Sequence, residues 1–179
     1  MCRAMDVACF FIEASLNNHD DPATNLRIQK LLYFAQGWSL VKLGKPLFSE
    51  KIEAWECGPV VKNVYKNLQT HGAGSIMNSG DFKLSKFKKE EINLLLDVFM
   101  KYRNDSTYHL ASITHEDGSP WYKAYYGGAD TGHEISFDEM EKHFSGQNLE
   151  HLKLDKTKIP QYRKTEDGNP IFLLGTFND

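Results

Sequence analysis

The sequence has 179 residues, which suits one compact domain that buries enough surface to fold without a metal ion or a disulfide framework. Apolar residues make up 41% and charged residues 25% of the chain, an ordinary composition for a globular protein. The formal net charge of −3 gives no general attraction for nucleic acid, and the three cysteines are too few and too scattered for disulfides or a zinc site.

Two helices are predicted at the N-terminus. Residues 4–16 carry apolar side chains at helical spacing, but the run is too short and too polar for a signal peptide or a membrane span. The sequence therefore predicts a cytoplasmic protein without membrane contact. A long second helix covers about residues 25–43, with Thr24 or Asn25 as its N-cap and Gly44 at its end. Its apolar arc is so wide that we expect it to be the central helix of the core.

A short β-hairpin or extended arm is predicted over residues 46–55, because this stretch is too short and too interrupted for another helix. The dipeptide Gly58-Pro59 then starts a third helix, with the proline near the first helical position. Apolar residues at helical spacing carry this helix to Leu68.

The remaining helices are predicted from the same periodicity, at about residues 90–99, 106–114, 120–126 and 136–145. Beyond them, residues 162–165 and 171–174 flank a turn sequence and predict a C-terminal hairpin. The sequence thus predicts a mainly α fold: a single helical domain of six or seven helices in residues 1–145. Residues 146–179 are predicted to form a C-terminal β-type extension that packs on the domain or on a partner.

Four blocks of the sequence resemble the SocA-like antitoxin domain, also called the Panacea domain or the phage-associated protein (GepA) family. They are IQKLLYFAQGWSL (28–40), GKPLF (44–48), IEAWECGPVVKNVY (52–65) and THEDGSPWYKAY (114–125). The resemblance spans roughly residues 5–144. Cys57 stands where the family usually has an aromatic residue, and Gly118-Ser119 makes the loop before Pro120 slightly unusual.

The resemblance implies an antitoxin, a protein that neutralises a cognate toxin usually encoded beside it. The partners of the family are unrelated toxins, many of which block translation or act on nucleotides or tRNA. In one branch the antitoxin is instead an adaptor that delivers its toxin to a cellular AAA+ protease. The resemblance implies no enzymatic activity, and we expect no catalytic residues, cofactor or metal ion.

The predicted partner-binding surface combines the arm, the helix after it and the C-terminus. Aromatic side chains on a rigid arm suit protein recognition, since a few buried anchors carry most of the binding energy. Each part of this surface also has an alternative without a partner. The aromatic residues of the arm would pack on the central helix, and the lysines would lie on a solvated face. The C-terminus would form a strand on the core. The candidate residues are Pro46, Phe48, Trp55, Pro59, Lys62, Lys66, Phe172 and Phe177.

Two other classes of function stay open. His115 beside Glu116 could be the general base of a hydrolase, and the alternative for this stretch is a polar helix end. A DNA-binding regulator would have to bind DNA through the core itself, because the chain starts almost at the family block. The basic cluster Lys83, Lys86, Lys88 and Lys89 has too few neighbouring aromatic residues to favour RNA binding, so nucleic acid is not an expected partner.

Overall fold

Seven α-helices make up most of the described structure. The computed structural model describes residues 1–16, 23–80, 82–126 and 133–147, and the backbone of two C-terminal strands. This content confirms the predicted mainly α fold of six or seven helices. In chain order the helices are α1 (Ala4–Ser15), α2 (Asn25–Leu43), α3 (Lys62–Leu68), α4 (Lys89–Tyr102), α5 (Thr107–Thr114), α6 (Pro120–Tyr126) and α7 (Phe137–Ser145).

The second helix is the centre of the core. Fifteen of the nineteen residues of α2 are buried, and α1, α3, α4, α5 and α7 all pack against it. Thr24 caps its start by accepting a hydrogen bond from the backbone N–H of Arg27 at 3.2 Å, and Gly44 ends it with a left-handed φ of 63°. The predicted central helix over residues 25–43 is confirmed. It lies at the centre because an apolar arc this wide is stable only when other elements cover it.

Polar side chains of α2 are also buried, and they bind backbone groups of the surrounding segments. The guanidinium of Arg27 donates to the carbonyl oxygens of Tyr102 and Asp105 at 2.9 and 2.7 Å, which fixes the end of α4. The Gln36 side chain accepts from the backbone N–H of Phe48 at 3.3 Å and donates to its carbonyl oxygen at 3.2 Å. Since an unpaired buried polar group costs about 1–3 kcal/mol, each of these contacts ties a neighbouring segment to the central helix.

A glycine in α2 brings α7 into close contact. A Cβ atom at Gly37 would overlap the ring of Phe144 in α7. That ring makes edge-to-face contacts with the rings of Tyr33 and Trp38 at centroid distances of 5.6 and 5.1 Å. Gly37 is therefore required by the packing of aromatic rings rather than by the backbone.

A small antiparallel sheet lies beside the helices. Its strand order is β2–β1–β3, and the strands are β1 (Glu53–Trp55), β2 (Gly58–Val60) and β3 (His133–Glu134). β1 and β2 form a hairpin in which Trp55 pairs with Gly58 across the two-residue turn Glu56-Cys57. β3 has no counterpart among the predicted elements, because it is two residues long and pairs with a strand far away in the sequence.

The hairpin lies further along the chain than predicted. The predicted arm covers residues 46–55, whereas the observed hairpin covers residues 53–60. The predicted helix start at Gly58-Pro59 is wrong, because α3 begins at Lys62 and Pro59 belongs to β2. A proline is tolerated there because β2 is an edge strand of the sheet.

The C-terminal strands form a second hairpin. β4 (Gln161–Lys164) pairs antiparallel with β5 (Pro170–Leu173), with Tyr162 opposite Phe172 and Arg163 opposite Ile171. This pairing confirms the hairpin predicted from the β-type residues on either side of positions 166–169. The side chains of both strands lie outside the described part of the structure.

Candidate partner-binding surface

The turn of the β1–β2 hairpin depends on a glycine. Gly58 has a φ of 101°, in the left-handed region that residues with a Cβ rarely adopt. Glu56 and Cys57 are exposed at the tip of the turn, whereas Gly58 and Pro59 are buried. The backbone carbonyl groups on the buried side of the turn must therefore find donors within the protein.

Side chains from three helical segments contact the carbonyl oxygens of this turn. Trp121 Nε1 of α6 donates to Trp55 O at 2.8 Å. His115 Nε2, at the end of α5, lies 3.1 Å from Glu56 O. Lys30 Nζ of α2 donates to Cys57 O and, at 3.4 Å, to Pro59 O. We call Lys30, His115 and Trp121 the turn clamp. The clamp joins α2, α5 and α6 at one point and fixes the hairpin against them.

Lys30 is completely buried, unlike the half-buried His115 of the clamp. Its side chain is 0% exposed, and it forms no ion pair with any residue that the structure describes. Loss of contact with water lowers the pKa of the amine from 10.5 to about 7. Both the protonated and the neutral amine carry at least two N–H groups, so Lys30 can donate to both carbonyl oxygens in either state.

The imidazole of His115 is engaged at both ring nitrogens. Nε2 faces Glu56 O, and Nδ1 faces the carbonyl oxygen of Ala111 one turn earlier in α5. The ring also lies against Trp121 at a centroid distance of 3.8 Å, whereas Glu116 is exposed. These contacts give His115 a structural role beside the hairpin turn.

An aromatic pair joins the hairpin to α3. The half-buried rings of Trp55 and Tyr65 contact each other at a centroid distance of 5.1 Å. The indole N–H of Trp55 donates to the carboxylate of Glu53 at 2.8 Å. The pair thus offers a preformed aromatic surface whose orientation is set by the hairpin and by α3.

Two exposed lysines lie on the same helix as Tyr65. Lys62 and Lys66 lie one helical turn apart, and neither forms an ion pair within the described part of the chain. By contrast, the exposed Lys51 is paired with Glu134 at 2.6 Å. Like charges at this spacing repel each other, so anionic groups of a partner would relieve the repulsion. Together Trp55, Lys62, Tyr65 and Lys66 form what we call the arm–α3 surface.

A recess adjoins the arm–α3 surface. It has a volume of about 200 Å³, and its walls come from Glu50, Lys51, Glu53, Val61, Lys62 and Asn63. Lys62 belongs to both features, and Glu53 also holds the indole of Trp55. Glu53 thus lines the recess and also contacts one ring of the aromatic pair.

The comparison with protein families identifies the chain. Residues 28–122 match the family described as antitoxin SocA-like, Panacea domain, and this range is more than half of the chain. The chain belongs to the SocA-like antitoxin family. The matched range contains the turn clamp, the β1–β2 hairpin and the arm–α3 surface.

A curated relative supports the family. Antitoxin SocA of Caulobacter vibrioides (strain NA1000 / CB15N) is 34% identical to this chain over 112 residues. The aligned region covers 57% of this chain and 60% of the relative, so the chain spans less than two thirds of that SocA protein. No solved structure matches the chain.

In this SocA-like protein, the predicted partner-binding residues differ in their exposure to solvent where the structure describes them. Lys62 and Lys66 are exposed on α3, Trp55 is half-buried against Tyr65 of the same helix, and Pro46 is half-buried in the segment before the hairpin. Phe48 is completely buried and packs in the core, which is the alternative predicted for this residue.

Of the other three residues, only Pro59 has a described side chain. Pro59 is buried in β2, so its side chain is not exposed to a partner. The backbone of Phe172 lies in β5, and its side chain and the whole of Phe177 lie outside the described residues.

The sequence analysis missed Lys30 and Tyr65. A signal for Lys30 was present, because it lies within the apolar block IQKLLYFAQGWSL of the SocA-like domain. A polar side chain on a helix that is covered on most sides must find a buried partner. Tyr65 lies on the apolar stripe of α3, and nothing in the local sequence indicates that its ring meets Trp55.

Other candidate sites of the sequence analysis have ordinary explanations where the structure describes them. Lys86 of the basic cluster forms an ion pair with Asp6 at 2.8 Å. The described ranges hold no group of three or more His, Cys, Asp or Glu residues suited to a metal ion. Over the same ranges, no helix has the length and apolar character of a membrane span.

Proposed function

We propose that this chain is an antitoxin that neutralises a cognate toxin by direct, stoichiometric binding. The observation that carries the proposal is the family match over residues 28–122, which covers the turn clamp and the arm–α3 surface. The name of the Caulobacter relative, antitoxin SocA, supports the same activity. None of the three cysteines is in a disulfide bond, in keeping with a reducing cytoplasm as the site of action.

The arm–α3 surface is the proposed contact. Trp55 and Tyr65 are large side chains of the kind that dominate binding energy, and they are held in place before any partner arrives. Lys62 and Lys66 lack ion pairs among the described residues, which suits an acidic patch on the toxin. Charged groups at the rim of an interface mainly accelerate association, so the aromatic pair is expected to set the lifetime of the complex.

The toxin itself is proposed to be the product of an adjacent gene, with translation or a nucleotide as its target. Co-expression of that product with the antitoxin should restore growth of the host, and the two proteins should purify together. Trp55→Ala combined with Tyr65→Ala should abolish the protection. Tyr108→Ala is the matched control, because this highly exposed tyrosine lies at the other end of α5 from His115.

Delivery of the toxin to an AAA+ protease is the alternative within the family. Direct binding predicts that the antitoxin protects a host that lacks its energy-dependent proteases, with the toxin still present in the cell. Protection that disappears in such a host, while the toxin accumulates, would replace direct inhibition by the adaptor mechanism.

We further propose that residues 146–179 form an extension distinct from the domain of residues 1–145, and that it supplies a second contact. Support comes from the β4–β5 hairpin and from the family match, which ends at residue 122. Replacing Phe172 and Phe177 together by aspartate should weaken the complex and leave the unfolding temperature of the free antitoxin unchanged. An unaltered affinity would assign the binding to residues 1–145 alone.

A further inference from the structure

A completely buried lysine is an unusual choice for the core of this protein. Lys30 lies in the second turn of the central helix. It has no carboxylate partner among the described residues, and its hydrogen bonds are to backbone carbonyl oxygens. Burying a charged or polar group without a counterion is costly. An apolar side chain of similar volume, such as methionine, would fill the same space without that cost.

The benefit of Lys30 must therefore lie in what its amine holds. Both acceptors, Cys57 O and Pro59 O, belong to the hairpin and lie on either side of Gly58. A Cβ atom at Gly58 would overlap the amine, so the turn and the lysine fit each other closely. The hairpin has three residues in each strand, which is too short to be stable by its own ladder.

We infer that Lys30 is a positioning residue of the partner-binding surface: its buried amine fixes the hairpin turn so that Trp55 is presented in one orientation. The effect on partner binding rests on the proposed function, whereas the fixation of the hairpin by Lys30 does not depend on it. A surface that is ordered before binding loses less conformational entropy on association. Lys30 thus contributes to affinity without touching the partner.

The test uses the full chain with Lys30→Met, and Arg27→Met as the matched control. Arg27 is equally buried in α2, one turn before Lys30, but it binds the end of α4 instead of the hairpin. Amide hydrogen exchange of residues 53–60 measures the order of the hairpin, thermal unfolding measures global stability, and titration with the purified product of the adjacent gene measures affinity.

Lys30→Met is expected to accelerate exchange across the hairpin by about tenfold, because two hydrogen bonds to the turn are lost. It should weaken the complex by a similar factor and leave the unfolding temperature unchanged or slightly raised. Arg27→Met should lower the unfolding temperature and leave hairpin exchange at its wild-type level relative to the rest of the protein. If Lys30→Met fails to fold, Lys30→Gln takes its place. Glutamine keeps an N–H donor, but its side chain is too short to reach both acceptors.

Unchanged exchange of residues 53–60 would overturn the inference, and so would a loosened hairpin that binds the toxin as tightly as the wild type. A wild-type protein that does not bind the adjacent gene product at all would count against the proposed function. In that case the exchange data alone would decide whether Lys30 orders the hairpin, so the two failures are distinguishable.

Discussion

The amine of Lys30 occupies the space that a side chain on Gly58 would need. Gly58 also has a φ of 101°, so a larger residue would be strained there and would have to displace the amine. The hairpin turn and the central helix are therefore matched to each other at this contact.

Gly58→Ala is predicted to disorder the hairpin, because an alanine is strained at this φ and collides with the amine. The expected cost is about 1–3 kcal/mol for the backbone alone. Amide exchange and the unfolding temperature measure it. Gly44→Ala is the control for backbone strain, because Gly44 also has a positive φ but has open space around it. Equal effects of the two substitutions would refute a specific role for the contact with Lys30.

Gly37→Ala is predicted to destabilise the protein by about 1–3 kcal/mol, because the added methyl group forces the ring of Phe144 out of place. Chemical denaturation measures the free energy of unfolding. Gly146→Ala, with a φ of −75° and only ordinary contacts for the new methyl group, should change it little. A Gly37→Ala protein as stable as the wild type would show that α7 is not packed tightly on α2.

The stability of the protein is predicted to rise with pH because of Lys30. Its pKa is about 7 in the folded protein and near 10.5 in the unfolded chain, so between these values the unfolded state binds the extra proton. The free energy of unfolding of the wild type, relative to Lys30→Met, should therefore increase from pH 7 towards pH 10.5. Parallel pH profiles of the two proteins would mean that the amine is hydrated in the folded state.

Asp6 is predicted to contribute stability that is lost in acid. Hydrogen bonds from Arg3 at 2.9 Å and Lys86 at 2.8 Å outweigh its burial and lower its pKa from 3.8 to about 2. The contribution is present above pH 3.8 and disappears as the pH falls through 2. Asp6→Asn should therefore be less stable than the wild type at pH 7 but not near pH 2. Glu90→Gln, which removes an exposed ion pair with Lys45, should have little effect at either pH.

The helices could be predicted from the sequence because their signals are local. The cap at Thr24, the glycine at Gly44 and the apolar periodicity between them define α2 within a few neighbouring residues. Ser106 likewise caps α5 by accepting from the N–H of His109.

The hairpin could not be placed from the sequence because its determinants are distant. Gly58-Pro59 is a typical start of a helix when only neighbouring residues are considered. The position of the turn depends instead on Lys30, His115 and Trp121, whose side chains reach it from elsewhere in the chain. For the same reason, sequence periodicity places Lys62 and Lys66 on the outer face of α3 but does not reveal that Trp55 meets Tyr65.

The most direct test of the central claim is a calorimetric titration of this protein with the purified product of the adjacent gene. The account predicts saturable 1:1 binding for the wild type. It predicts binding at least thirtyfold weaker for Trp55→Ala, the roughly 2 kcal/mol typical of an interface anchor. In a rapid-mixing measurement of the same complex, Lys62→Glu with Lys66→Glu should slow association, whereas Tyr108→Ala should bind like the wild type. A wild-type protein that does not bind, or a Trp55→Ala protein that binds with undiminished affinity, would contradict the account.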